Sequence, residues 1–345
     1  MTEPSQSNPV SAWGREATRH FYELGPEEIL DAVERCGYRC TGRCLALNSK
    51  ENRVYEIEVE AQERAEESSF VVAKFYRPGR WSKAQIAEEH EFLRDLQQHE
   101  IPAIAPLPNG AGATVHELES MGIFYTLFPR QGGRNPDEPD QAQVKRLGHL
   151  MARVHNCGAQ KTAQHRVRLN PETYGWNSLD YLLEEESIPE DLEESYADLV
   201  EELCELSFPL FERVESQRIH GDCHLGNLLL RMDQLYLVDF DDMVQGPCVQ
   251  DLWLLLPGRD RDSLALRDVL IESYEELRPF DRHSLKLVEP LRALRYIHFS
   301  AWIAKRWSDP AFPLAFPYFN TRNYWLEQME DLRECLSYMQ DGDSE

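Results

Sequence analysis

The sequence predicts an α+β fold in two lobes, a small antiparallel-sheet N-lobe followed by a larger, mainly helical C-lobe. Three observations predict it. Strand-like runs are concentrated before Pro129, the spacing of apolar residues from Asp140 onward is mainly helical, and a glycine-rich stretch, Arg130-Gln131-Gly132-Gly133-Arg134-Asn135-Pro136, lies between the two regimes as a hinge would. A length of 345 residues agrees with about two such units. A chain of this size buries about three quarters of the surface its unfolded form exposes, so it needs no metal or disulfide staple.

Residues 1–25 are polar, with little apolar pattern, and read as a mobile leader. Gly25-Pro26-Glu27-Glu28 then starts a helix, with proline in its first turn and acids at the positive end of its dipole. Ile29, Leu30 and Val33 give that helix its apolar stripe. Arg53 to Val59 alternates polar with apolar residues, as a half-buried strand does, and Phe70 to Tyr76 is β-branched and aromatic up to Pro78-Gly79. The acidic stretch between them makes a charged hairpin tip. A helix over 82–97, with Ile86, Leu93 and Leu96 inward, and strands over 115–118 and 122–128 complete an N-lobe spanning 26–129. The C-lobe, 130–339, carries helices expected at 140–156, 176–186, 190–215, 261–278, 282–307 and 320–340, with short strands at 228–230 and 235–239. Residues 340–345 form a tail.

Composition excludes several roles. Thirty-six Lys and Arg against 61 Asp and Glu leave a net charge of −25, which repels nucleic-acid phosphates and anionic membrane surfaces. An anionic ligand must therefore be held by a few local cations or arrive with Mg²⁺. No stretch approaches the ~18 apolar residues of a transmembrane helix, and the first ten residues lack a secretory signature. Eight cysteines without a CxxC pair make no disulfide scaffold, so the reducing cytoplasm is the expected location. Cys36, Cys40 and Cys44 recur every fourth residue, a spacing foreign to zinc and iron–sulfur sites, and Gly37 and Gly42 interrupt any helix that would align them.

The densest chemistry lies in Ile219-His220-Gly221-Asp222-Cys223-His224-Leu225-Gly226-Asn227, with a companion Leu237-Val238-Asp239-Phe240-Asp241-Asp242 that begins after a predicted hairpin. The hairpin brings Asp222, Asn227 and Asp239 to one end. Two carboxylates and an amide oxygen are hard donors that hold Mg²⁺ loosely and leave places for water and phosphate oxygens. Asn227 follows Asp222 by five positions, the interval at which kinases place a metal-binding Asn after a catalytic-loop Asp. Phosphoryl transfer also needs a strand lysine on the phosphates and a helix glutamate to hold it. Lys74 is the only cation in its strand, where it is costly unless paired. Glu88, Glu89 and Glu91 all follow on the next helix; Glu89 is preferred because Leu93 and Leu96 pack one turn beyond it on nearly the same face.

Lys74, HGDCHLGN and DFDD together resemble the aminoglycoside phosphotransferase/choline-kinase branch of the protein-kinase-like fold. Further segments (Leu47 to Tyr55, Lys74 to Pro78, Glu88-Glu89-His90, Gln250 to Trp253, Glu289 to Ala293 and Asp309 to Pro313) are similar to a bacterial Ser/Thr protein kinase of that family, over roughly 25–335. The resemblance implies that Asp222 is the proton acceptor, that Asn227 and Asp239 hold Mg²⁺, that Asp239 is also an active-site residue, and that Ser49 touches ATP. It further implies cytoplasmic Ser/Thr kinase activity on proteins, autophosphorylation and a part in surviving stress, in a chain expected to be monomeric.

Two departures from ordinary protein kinases stand out. The stretch Asn48 to Tyr55, where a phosphate-covering loop relies on glycine, has none, which leaves Ser49, Asn52 and backbone N–H groups for that work. Gly221 replaces the arginine that reads a phosphorylated activation loop, so control by such a phosphosite is not expected. His220 reads as a loop anchor rather than a base, and Cys223 as a neighbour of Asp222 whose reactivity sequence does not set. The helix from Arg292 to Trp307 reads as core packing with snorkelling arginines. The alternative activity is a small-molecule kinase for an aminoglycoside, choline or similar cationic alcohol, drawn by the acidic runs Glu184-Glu185-Glu186 and Glu190 to Glu202.

Overall fold

The computed structural model describes Phe21, residues 24–60 and residues 69–341. The expected leader therefore lies almost wholly outside the described residues, as do the hairpin tip at 61–68 and residues 342–345 of the tail. The described part of the leader is docked: Phe21 is buried, its ring under the guanidinium groups of Arg53 and Arg77.

Helix α1 (Pro26–Arg35) starts as the sequence predicts, and Glu28 folds back to accept the Gly25 backbone N–H at 3.1 Å. Strand β1 (Cys40–Ala46) was not anticipated. It has no period-two alternation, contains Gly42 at φ +94°, and shifts register between Cys40 and Cys44. The sheet continues through β2 (Arg53–Val59), β3 (Ser69–Phe75), then β4 (His116–Leu118) and β5 (Ile123–Pro129) in the antiparallel order β1-β2-β3-β5-β4. Alternation sorts its two faces. Ile57, Ala73, Phe75, Tyr125 and Leu127 pack with Ile29 and Val33 of α1 on one side, which leaves Val72 and Lys74 on the other, toward the cleft. Helix α2 (Lys83–Gln98) begins at a capping box in which Ser82 and Gln85 satisfy each other's backbone N–H groups. After it, Ile104 and Pro102 bond to the backbone of Leu237, tying the sheet lobe to the helical one.

The C-lobe is helical: α3 (Gln141–Gly158), α4 (Asn177–Glu184) entered through a π-turn at Glu172–Trp176, α5 (Glu193–Phe211), α6 (Val249–Leu255), α7 (Arg261–Glu275), α8 (Val288–Lys305), α9 (Ala311–Ala315) and α10 (Arg322–Asp341). The short helices α6 and α9 were not anticipated, and the helix expected over 282–307 opens with a 3₁₀ turn at Arg282–Leu287. Two small ribbons sit among the helices. The anticipated hairpin pairs β7 (Leu228–Arg231) with β8 (Gln234–Leu237), and β6 (Gln217–Ile219) pairs with β9 (Val244–Gly246). This is the two-lobed kinase-like fold, with the 220–227 and 238–242 segments on the two ribbons at the lobe junction.

Candidate active site

The loop from His220 to Asn227 leaves β6 and is fastened from behind by the first turn of α6. Asp251 accepts the backbone N–H groups of His220 and Gly221, both at 2.9 Å, and Gln250 donates to the Gly221 carbonyl at 2.9 Å. His155 in turn holds Asp251 at 3.1 Å. The His220 ring bonds the Val238 carbonyl at 3.0 Å and packs on Phe240, so it anchors the 220–227 and 238–242 segments to each other. Asn227 donates its amide N–H to the Asp222 backbone carbonyl at 2.9 Å, and its own carbonyl accepts Val238 N–H at 3.1 Å. The amide oxygen of Asn227 is thereby turned away from Asp222 at the end of the hairpin where Asp239 begins.

Asp239 adopts a left-handed conformation, φ 59° and ψ 64°, which lifts its carboxylate out of the 3₁₀ turn that follows. Lys74 reaches it at 2.9 Å and lies 3.2 Å from Asp241. Burial opposes the charge on Lys74, but the two aspartates outweigh it and hold the amine protonated well above its usual range.

The Lys74–Glu89 pair expected from sequence is not formed. Glu89 is buried and paired with Arg166 at 2.9 Å. That guanidinium is already fixed by the Gln85 carbonyl at 2.8 Å and the Asp241 carbonyl at 2.6 Å, so its rigid fork meets Glu89 at little entropic cost while Lys74 turns to the aspartates. Of the three acids left open by the sequence, Glu89 is nonetheless the one that lines the cleft beside Lys74. Glu88 accepts the backbone N–H groups of His165 and Arg166, and Glu91 pairs with Lys161 at the surface.

Two cavities flank this junction. One, of about 270 Å³, has apolar walls from Leu47, Val54, Val72 and Phe128, with Ser49, Lys74 and Asp239 at its polar end. The other, of about 200 Å³, lies beyond Asp222 and is lined by Tyr174, Leu291, Arg295, His298 and Trp302, with Glu51 and Arg80. Arg295 donates to Asp222 at 2.6 Å. Burial would raise the Asp222 carboxyl, but Arg295 and His224 hold it far below the ordinary carboxylate range.

Arg295 is thus the residue for which the packing expectation fails. The same helix carries Arg292, which does pack as expected, over Trp253 and against Glu289. Both are arginines three residues apart on an aromatic-rich helix, so nothing in the sequence separates them. Arg166, Arg80 and Asp241 were also missed, because each acts through a partner far away in sequence; in Asp241 the adjacent DFDD acids were the only signal. Asn135, just after the hinge glycines, holds the carbonyls of Gly226 and Leu228 at 2.7 and 2.8 Å.

A divalent ion is not supported everywhere cysteines or acids gather. Among the described residues no group of three or more His, Cys, Asp or Glu side chains is placed to cage a metal. Cys36 and Cys40 instead donate to the Tyr125 hydroxyl and the Leu30 carbonyl, and burial pushes both thiols up. Cys223 is buried on Met151, with its thiol pushed well up by burial, and so is unreactive. Asn227 and Asp239 fit the other kind of site, one amide and one carboxylate completed by phosphate and water, which suits Mg²⁺. Among the described residues no helix is long and apolar enough to cross a membrane.

Comparison with known proteins follows the same line. The sequence profile of the phosphotransferase enzyme family matches residues 45–288. The chain is 37% identical over 322 residues to "Stress response kinase A" of Escherichia coli (strain K12), covering 93% of this chain and 95% of that protein. It is 36% identical over 310 residues to "Serine/threonine protein kinase RdoA" of Salmonella typhimurium (strain LT2), covering 89% and 91% respectively. Among solved structures, amicoumacin kinase hAmiN in complex with AMP-PNP, Ca²⁺ and Ami superposes with a TM-score of 0.67 at 18% identity, over 88% of this chain and 93% of that one. A microcompartment-associated aminopropanol kinase superposes with a TM-score of 0.64 at 17% identity, over 91% and 98%.

Proposed function

The chain belongs to the phosphotransferase enzyme family, and on that premise we propose that it is an ATP- and Mg²⁺-dependent protein kinase that phosphorylates Ser or Thr, on itself and on other proteins, in a bacterial stress response in the cytoplasm. Residues 26–129 form the nucleotide lobe and 130–339 the catalytic lobe. The single observation that carries the transfer reaction is the placing of two cavities on either side of one loop junction, Lys74 and Asp239 in one and Asp222 in the other.

ATP occupies the first cavity, with its base against Val54, Val72 and Phe128 and its phosphates toward Ser49 and Lys74. Asn227 and Asp239 hold Mg²⁺, which when bound neutralises charge on the phosphate oxygens. Glu89, whose carboxyl burial pushes up to about 7, is fixed by Arg166 beside Lys74 and does not draw the amine off the phosphates. Asp222 orients the acceptor hydroxyl and takes its proton. Because Arg295 holds the Asp222 carboxyl so low, Asp222 is a weak base, and orientation is the larger part of its work.

Protein acceptors are favoured over polycations by the state of the acids in the second cavity. Asp222 is paired with Arg295, Asp242 with Arg80, and Glu51 with Arg77, Arg80 and Arg306, so each carboxylate is already neutralised. A cavity of about 200 Å³ beside Asp222 supports the second reading, a small-molecule kinase acting on an amino alcohol or aminoglycoside. Incubation with γ-labelled ATP and Mg²⁺ separates the two: label should appear on the chain or a protein acceptor rather than only on added aminoglycoside or choline. Asp222→Asn should lower transfer by about 10²–10⁴-fold, and unchanged transfer in that variant would remove the assignment altogether.

A further inference from the structure

The loop between β1 and β2, residues 47–52, covers the nucleotide cavity through Leu47, Asn48 and Ser49, yet two residues on, Glu51 lines the acceptor cavity. Its carboxylate is held from three directions. Trp302 Nε1, on α8, donates at 2.7 Å and Arg306, which caps the end of α8, at 2.9 Å, while Arg77 and Arg80, from the turn after β3, lie at 3.4 and 3.6 Å. Burial opposes its charge, but these cations win and bring the carboxyl down to about 2. Asn52 extends the connection inward: it donates to Asp241 at 3.2 Å and accepts the Arg77 backbone N–H at 3.2 Å, and Asp241 pairs with Lys74.

A glycine-rich loop approaches phosphates by being adaptable. This loop has no glycine to adapt with and is instead clamped, at one end by the acceptor-side helix and at the other by the partner of the phosphate-side lysine. We infer that Glu51 is a positioning residue that couples the two cavities, so that seating of the nucleotide under the loop and ordering of the α8 wall of the acceptor cavity are one event. The inference rests on the nucleotide reading proposed above. A buried carboxylate among three guanidinium groups is strongly non-additive, since removing it takes one shared partner from Arg77, Arg80 and Arg306 at once. Its loss should therefore be felt on α8 as well as in the loop.

The test uses the full chain with a non-hydrolysable ATP analogue and Mg²⁺. Calorimetry gives the affinity, and hydrogen exchange follows the α8 amides. In the wild type the analogue should slow exchange over residues 295–305. Glu51→Gln should weaken analogue binding about tenfold, the size of one lost charged hydrogen bond, and abolish the slowing on α8. Trp302→Phe keeps an aromatic ring and removes only the N–H donor; it should reduce the slowing, and it carries the test if Glu51→Gln does not fold. A residue that merely supports the fold would lower the melting temperature and leave both readouts intact, and that result overturns the inference. Should the wild type fail to bind the analogue, the nucleotide reading falls and this one with it; wild-type binding with unaltered variants removes this one alone.

Discussion

Gly221 stands where ordinary protein kinases carry arginine, and the reason is steric. Its φ is +86°, and a Cβ there would sit 2.1 Å from the Asp242 carbonyl oxygen. The catalytic loop is pressed directly onto the 241–243 segment, so the position accepts no side chain. Gly221→Ala should cost roughly 1–3 kcal/mol in backbone strain alone, with the clash added, and should displace Asp222 from its hydroxyl-orienting place. Urea unfolding together with single-turnover transfer would check it, and a variant of wild-type stability and rate would contradict the loop geometry. The departure itself was legible in the sequence, as were Lys74 and the five-residue interval from Asp222 to Asn227. Its cause was not, because the colliding carbonyl belongs to a segment twenty-one residues away. The same holds for Glu89, preferred among three acids as the partner of Lys74: it lines the cleft beside that lysine but pairs with Arg166, which no local pattern announces.

At the scale of elements, the long regular ones were legible, while the short helices α6 and α9 and the irregular strand β1 were not. Strand β2 alternates polar with apolar residues, β3 is β-branched and aromatic, and α2 carries its capping box in the sequence. Strand β1 hides behind a cysteine repeat, a mid-strand glycine and a register shift. The β7–β8 hairpin was legible from its apolar runs alone, and its turn is unusual. Arg231 pairs with Gln234, so the loop is the two residues Met232 and Asp233, at φ 48° and 64°. That is the type I′ geometry, which suits hairpin twist but favours Asn and Gly. Met232 is 91% exposed and contributes no packing to offset its left-handed conformation. Met232→Asn should therefore stabilise the protein by roughly 0.5–1 kcal/mol without altering transfer, as read by the urea midpoint. A loss of stability would mean that the methionine makes a contact the hairpin geometry does not account for.

For the whole molecule, the junction between lobes is built from charges that acid should dissolve. His90, on α2, is buried between the Tyr76 hydroxyl at 3.1 Å and the Thr114 hydroxyl at 2.9 Å. Burial, with Lys74 and Arg166 nearby, lowers its pKa from 6.5 to about 3. Glu51, across the junction, is lowered to about 2. In both cases the unfolded chain binds the proton first as pH falls. Stability is therefore full above the unfolded values and is lost on acidification, from about pH 6.5 for His90 and from about pH 4.5 for Glu51. Relief of repulsion within a chain of net charge −25 acts in the opposite sense, so the wild-type curve alone does not isolate either group. The difference between wild type and His90→Gln does. A neutral amide removes the proton-linked loss, which for one histidine reaches about 1.4 kcal/mol per pH unit, and keeps donor and acceptor groups for Tyr76 and Thr114. His90→Gln should be less stable than wild type at pH 7.5, and the gap should close as pH falls from 6.5 to 5; Glu89 and Asp242, which burial pushes up to about 7 and about 6, titrate in both proteins and drop out of the difference. A gap that stays constant over that interval would show that His90 is protonated already, and that the N-lobe face behind Lys74 is wetter than its packing implies.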